Sequence, residues 1–110
     1  MRRGNAYLAA GADCVFVPGA LEPQTIATLV KGIAGPLNIL AMPGCPNVAA
    51  LAHLGVRRLS QGSGPARAVL GLTRRIAGEL REAGTYNHFH QGAIGYHAAN
   101  ALFSAHKTSE

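Results

Sequence analysis

Apolar residues along this chain come in two alternating forms, short solid runs and spaced stripes. The solid runs lie within Ala12–Val17, Leu37–Met42 and, with more polar character, Val56–Ser60. Each is too short for a helix and is bounded by proline or glycine, the pattern of a strand. Between them the apolar positions are spaced for one face of a helix. Ile26, Leu29, Val30 and Ile33 share a face of a helix from Pro23, and Val48, Leu51 and Leu54 share one within Pro46–Leu54. Val69, Leu72, Ile76 and Leu80 form the stripe expected to be buried in a longer helix from Pro65 to about Ala83. A further helix is predicted to end at Gly11, ahead of the first strand, and Gly55 and Gly84 stop two of the others. Gly35 is expected to close the helix from Pro23 as a left-handed cap.

Strand, glycine-containing turn and helix therefore recur three times, which predicts α/β architecture with parallel strands. The first two strands are almost wholly apolar, as strands covered on both faces should be. Right-handed crossovers place the three turns after the strands on one edge of the sheet, where α/β proteins bind ligands. Those turns hold the candidate site residues Pro18, Gly19, Pro43, Gly44, Gly62 and Ser63. Their first role is to leave a strand and enter a helix; their second is to form a substrate-facing rim. Gly62-Ser63-Gly64 could also offer backbone N–H groups to an anion at the next helix N-terminus, though two glycines alone are a weak phosphate signal.

The segment after residue 86 differs. It carries His88, His90 and His97 among several aromatics, and a helix is predicted from about Ala93 to Ala105. Ile94, Tyr96 or His97, Ala101 and Phe103 are available for burial there, and Lys107–Glu110 should fray. The organisation is thus 1–86 for the repeated units and 87–110 for a His-containing helix and tail.

Composition narrows the function classes. With 110 residues and 48% hydrophobic content, the chain suits one folded domain and not a disordered one. No apolar run has the length of a membrane span, and the basic N-terminus is broken too early by Gly11 and Asp13 for a signal peptide. The net charge of +5 is spread over arginines in separate segments without interleaved aromatics, so a solvated basic surface is expected and nucleic acid is not. Cys14 in an apolar run and Cys45 in a turn fit reduced thiols in the cytoplasm.

Other candidates have plain readings beside the sharp ones. Asn38 and Ser60 lie inside strands, where hydrogen bonding to the interior is favoured over ligand contact. Arg67 stands in the first turn of the long helix and could tie it to its neighbours. His88-Phe89-His90 would hold a metal only if a third ligand converged. No base is spaced to activate Cys45.

Three stretches carry a family resemblance. Arg3, Ala6-Tyr7 and Ala10-Gly11-Ala12-Asp13, followed by Val15-Phe16-Val17-Pro18-Gly19, form the first; Pro36–Leu40 forms the second, and Leu54-Gly55-Val56-Arg57-Arg58-Leu59-Ser60 with Gly62 the third. In register over about residues 3–86, they resemble the isocitrate lyase/phosphoenolpyruvate mutase family, on its 2-methylisocitrate lyase or carboxyphosphonoenolpyruvate mutase-like branch. The resemblance implies a partial (β/α)8 TIM barrel: the last three β/α units, strands six to eight, plus a C-terminal helix. It also implies Mg2+ at the carboxyl ends of the full barrel's strands, and cleavage of C–C or P–C bonds in small 2-oxo or hydroxy carboxylates. Terminal helices exchanged between subunits are a further implication, hence a homo-oligomer or partner chain. The family's metal-binding acidic segments match nothing in this sequence. Asp13 begins a strand, Glu22 sits alone in a loop, and Glu79 and Glu82 lie on a helix. No catalytic residue, metal ligand or bound cofactor is therefore expected of this chain alone, and the other reading is a non-catalytic association module.

Overall fold

The computed structural model describes residues 1–104; the predicted helix end at Ala105 and the tail Lys107–Glu110 lie outside the described residues. The elements run α1 (Arg2–Ala9), β1 (Val15–Phe16), α2 (Pro23–Gly32), β2 (Leu37–Leu40), α3 (Val48–His53), β3 (Arg58–Ser60), α4 (Gly64–Ala83), a 3-10 turn (Asn87–His90) and α5 (Tyr96–Ser104). Two compact units divide the chain, Met1–Ala66 and the residues from Arg67 onward.

In the first unit, β1, β2 and β3 form a parallel sheet in chain order. Val15 pairs with Leu37 and Phe16 with Asn38; Asn38, Ile39 and Leu40 pair in turn with Arg58, Leu59 and Ser60. Because paired residues of parallel strands point the same way, this register sorts the side chains by face. Val15, Leu37, Ile39 and Leu59 belong to one face, where Val15, Ala20, Ile26, Ile33, Leu37, Ile39 and Leu51 form the core. Phe16, Asn38, Leu40, Arg58 and Ser60 share the other. The expectation that the first two strands are covered on both faces holds for β2, where Leu37, Asn38 and Ile39 are all buried, and is corrected for β1, where Phe16 is 48% exposed. The helices supply apolar cover to one face only. Strands are also shorter than the apolar runs, since β1 has a neighbour on one side alone and Pro18 lacks an N–H to continue a ladder.

The end of α2 carries a second correction. Gly35 is not left-handed, and Ile33 turns the chain into extended backbone. The Asn5 side chain does the capping instead: its Nδ2 donates to the Gly32 carbonyl at 2.9 Å and its Oδ1 accepts from the Ala34 N–H at 2.9 Å. One amide on α1 thereby meets both an orphan acceptor and an orphan donor of the neighbouring turn. Gly4 permits the close approach behind this clamp, since a Cβ there would lie 3.2 Å from Val15 Cγ1. At α3, Asn47 is the N-cap, its Oδ1 accepting from the Ala50 N–H at 2.9 Å.

The second unit is built otherwise. α4, the 3-10 turn and α5 contain no buried residue. The predicted buried stripe of α4 is therefore corrected: Val69 is 64% exposed and Leu80 44%, while Leu72 and Ile76 are only half-covered. α5 begins later than predicted, at Tyr96, and Ile94, Tyr96, Ala101 and Phe103 are all exposed. Stripes of the right period were present, but within this unit they have no apolar surface deep enough to receive them.

Candidate functional site

The three turns leaving the strands lie on the carboxyl edge of the sheet, each with a glycine in the left-handed region. Gly19 has φ +82°, Gly44 +87° and Gly62 +52°. Pro18-Gly19 and Pro43-Gly44 have proline followed by a positive-φ glycine, the arrangement of a type II turn. In the second turn the Cys45 N–H closes onto the Met42 carbonyl at 3.0 Å. A Cβ on Gly19 would meet no atom of the described residues within 4 Å, so this glycine answers to backbone conformation. Gly62 answers to both, because a Cβ there would come 3.2 Å from Leu40 Cδ1. Pro18, Gly19, Pro43, Gly44, Gly62 and Ser63 are all exposed along this edge.

The donors available for an anion at the third turn are few. The Gly64 N–H is bonded to the Gln61 carbonyl at 3.0 Å, and Pro65 has no N–H. Arg67 is exposed one turn further along α4.

Below the rim, on the sheet face away from the helices, Asn38 Nδ2 donates to Ser60 Oγ at 3.0 Å. Asn38 is 1% exposed, yet its Oδ1 has no hydrogen-bond partner among the described residues. A buried acceptor left so costs about 1–3 kcal/mol. It marks this face as incomplete. A cavity of about 420 Å³ opens beside β1, lined by Tyr7, Phe16, Pro18 and Leu29 among others, with Arg3 its one charged member.

The acidic residues are scattered. Asp13 is exposed in the turn between α1 and β1, at the opposite edge of the sheet from the rim, and Glu22 is exposed after β1. Glu82 pairs with Arg81 at 2.9 Å on the surface. Glu79 has a different role, which the sequence reading did not find. Its Oε1 accepts from Thr85 Oγ1 at 2.6 Å and from the Asn87 N–H at 2.8 Å; its Oε2 accepts from the His88 N–H at 2.9 Å and meets His88 Nδ1. The Thr85 hydroxyl first, and then the His88 N–H, hold its pKa down at about 2. No local sequence signal marks an anchor whose partners lie six to nine residues downstream.

Among the described residues, no three of His, Cys, Asp and Glu come together, so the residues present do not fit a Mg2+ site. His88 is engaged by Glu79, while His90 and His97 are exposed, the latter edge-on to Tyr96. Cys14 and Cys45 are free and half-buried. No described helix is long and apolar enough to cross a membrane.

Comparison with known proteins gives this rim a context. The model of a family described as phosphoenolpyruvate phosphomutase matches residues 1–81. Two curated, uncharacterized proteins from two strains of Mycobacterium tuberculosis are each 46% identical over 65 residues, which is 59% of this chain and 25% of theirs. The chain thus spans about a quarter of the length of those relatives. Among solved structures, a candidate lyase/mutase from Burkholderia cenocepacia J2315 superposes with a TM-score of 0.85 at 35% identity, over 99% of this chain and 40% of that one. A phosphoenolpyruvate phosphomutase from Streptomyces platensis subsp. rosaceus shares the fold, with a TM-score of 0.72 over 94% of this chain and 38% of that one at 19% identity.

Proposed function

The chain belongs to the phosphoenolpyruvate phosphomutase family, within the isocitrate lyase/phosphoenolpyruvate mutase group, and from that premise we propose that it is part of a lyase or mutase barrel. On this reading it supplies the last three β/α units of a (β/α)8 barrel, and the rest of the barrel supplies the chemistry. The substrate is a small 2-oxo or hydroxy carboxylate, and a C–C or P–C bond beside its carbonyl is made or broken. A Mg2+ ion, when bound by the complete barrel, would stabilise an enolate-type charge. The present residues contribute backbone to the rim at Pro18-Gly19, Pro43-Gly44 and Gly62-Ser63, and they leave the carboxylates to other strands.

The observation that carries this reading is the match of 99% of this chain to 40% of a candidate lyase/mutase. The physical state of the sheet supports it. One face lacks apolar cover at Phe16, and the buried Asn38 Oδ1 lacks a donor among the described residues. A completed barrel interior would supply both, since packed barrel cores are filled by inward side chains from every strand. The chain alone is therefore expected to be inactive. The test is an assay of the purified chain with Mg2+ and either 2-methylisocitrate or phosphonopyruvate. Background rates are expected; metal-dependent turnover by the chain alone would overturn the assignment of chemistry to other strands.

The exposure of the Val69–Leu80 stripe on α4 favours a second reading, a non-catalytic module that packs its helices on a partner chain. Complementation separates the two. Metal-dependent turnover restored on mixing with a chain that carries the remaining barrel strands supports the barrel reading. A discrete, saturable oligomer that no such chain activates supports the association module.

A further inference from the structure

The sheet of the first unit ends on two edges, and they differ. β3 begins beside Arg57-Arg58, both exposed, and charge on an edge strand opposes the addition of another strand. β1 carries no charge. The Val15 N–H is bonded to the Pro36 carbonyl at 2.9 Å and the Val17 N–H to the Asn38 carbonyl at 3.3 Å, both toward β2. Backbone groups alternate in direction along a strand, so Phe16 turns its N–H and its carbonyl to the other side. No strand lies there among the described residues.

The space on that side is already shaped. The cavity of about 420 Å³ is walled by Tyr7 from α1, Leu29 and Ile33 from α2, and Phe16 and Val17 from the sheet. No residue of β2 or β3 lines it, which places it on the free side of β1. Tyr7 is 58% exposed and Phe16 48%, so two aromatic walls stand without cover. Arg3 is the one charged lining residue, and it has no acidic partner among the described residues.

An unmet N–H and an unmet carbonyl on one edge select an extended backbone, which supplies an acceptor and a donor together. A bound carboxylate would meet the N–H and leave the carbonyl. An apolar small molecule would fill the cavity and leave both. We propose that the free edge of β1 takes up an extended segment of another polypeptide by strand addition, with an apolar side chain in the cavity and a carboxylate on Arg3. The proposal rests on the barrel reading for the source of that segment. This chain accounts for 40% of the candidate lyase/mutase it matches, and the segment comes from a chain carrying strands of the remainder.

The probe is a fluorescein-labelled peptide of about eight residues, valine alternating with threonine, its valine face ending in glutamate. N-methylation of alternate amides leaves one edge free to pair and stops the peptide from assembling with itself. Anisotropy against the full chain is expected to show saturable binding, at least about tenfold weaker when the peptide is methylated on both edges. Lysine in place of the glutamate should weaken binding about threefold or more, and Arg3→Glu should reverse that preference. Phe16→Pro removes the edge N–H and keeps both bonds to β2. It should bind at least about tenfold more weakly than Phe16→Ala, at the same urea midpoint. Where Phe16→Pro lowers the midpoint, the doubly methylated peptide and Arg3→Glu decide.

Equal binding of the singly and doubly methylated peptides, or no preference for glutamate over lysine, would overturn the proposal. Self-association that Phe16→Pro abolishes would assign the edge to a second copy and overturn it equally. Peptide binding without turnover on mixing with a chain that carries the remaining barrel strands would sink the barrel reading and leave the edge site standing. Turnover on mixing without peptide binding would do the reverse.

Discussion

The two units of this chain are held by different forces. In Met1–Ala66, Ile26 and Ile39 are 0% exposed, and seven side chains close a core between one sheet face and its helices. From Arg67 onward, the described helices bury no residue, and the turn after α4 is gathered around one carboxylate, Glu79. Apolar burial is non-directional and cooperative, whereas a hydrogen-bonded carboxylate depends on pH and on a few exact partners. The first unit is held by apolar burial around one core. The second keeps an exposed apolar stripe on α4, a surface that takes its meaning from what covers it.

The strongest way to break the contrast is to open the core. Ile26→Ala removes a fully enclosed side chain and should destabilise the first unit by about 2–5 kcal/mol, read as a lower urea midpoint. A loss below ~1 kcal/mol would show that the core is not close-packed around α2.

Acid should act on the other unit. The folded pKa of Glu79 is about 2 against an ordinary 4.5, so the protonated form is disfavoured in the fold. Its stabilisation is complete above about pH 4.5 and is lost as pH falls toward 2. Amide exchange at Asn87 and His88, corrected for intrinsic rates, should accelerate over that window, and Glu79→Gln should abolish the pH dependence. Exchange that stays flat from pH 5 to about 2 would show that the carboxylate does not hold the turn.

The smallest effect is expected on the α4 stripe. Val69→Ser replaces a side chain that is 64% exposed, and the stability of the chain should move by no more than about 0.5 kcal/mol. A larger loss would mean that the stripe is already covered in solution and would erase the difference between the units.

The residues explain which features were legible. β2 was readable because Leu37, Ile39 and Leu40, interrupted only by Asn38, are apolar between Pro36 and Pro43. The rim turns were readable because proline followed by glycine admits few backbone solutions. Asn5 was not readable as a cap for α2, since its two partners lie 27 and 29 residues away. Gly35 misled for the same reason: a local rule for helix ends assumed a local cap, and a distant amide had already satisfied that end. The stripe on α4 has the same period as the one on α2, yet the outcomes differ. Periodicity says which positions share a face; it does not say whether a surface is there to receive them.

The amino-acid sequence by itself determined the order of strands, turns and helices, the glycines of the rim and the family resemblance. Each follows from short-range sterics, spacing or motif. The tertiary structure alone decided which face of the sheet is covered, that Asn5 closes α2, that Glu79 gathers the turn after α4, and that Asn38 keeps an unmet acceptor. These depend on residues brought together across the chain, where burial and hydrogen bonding are settled by neighbours in space and not in sequence.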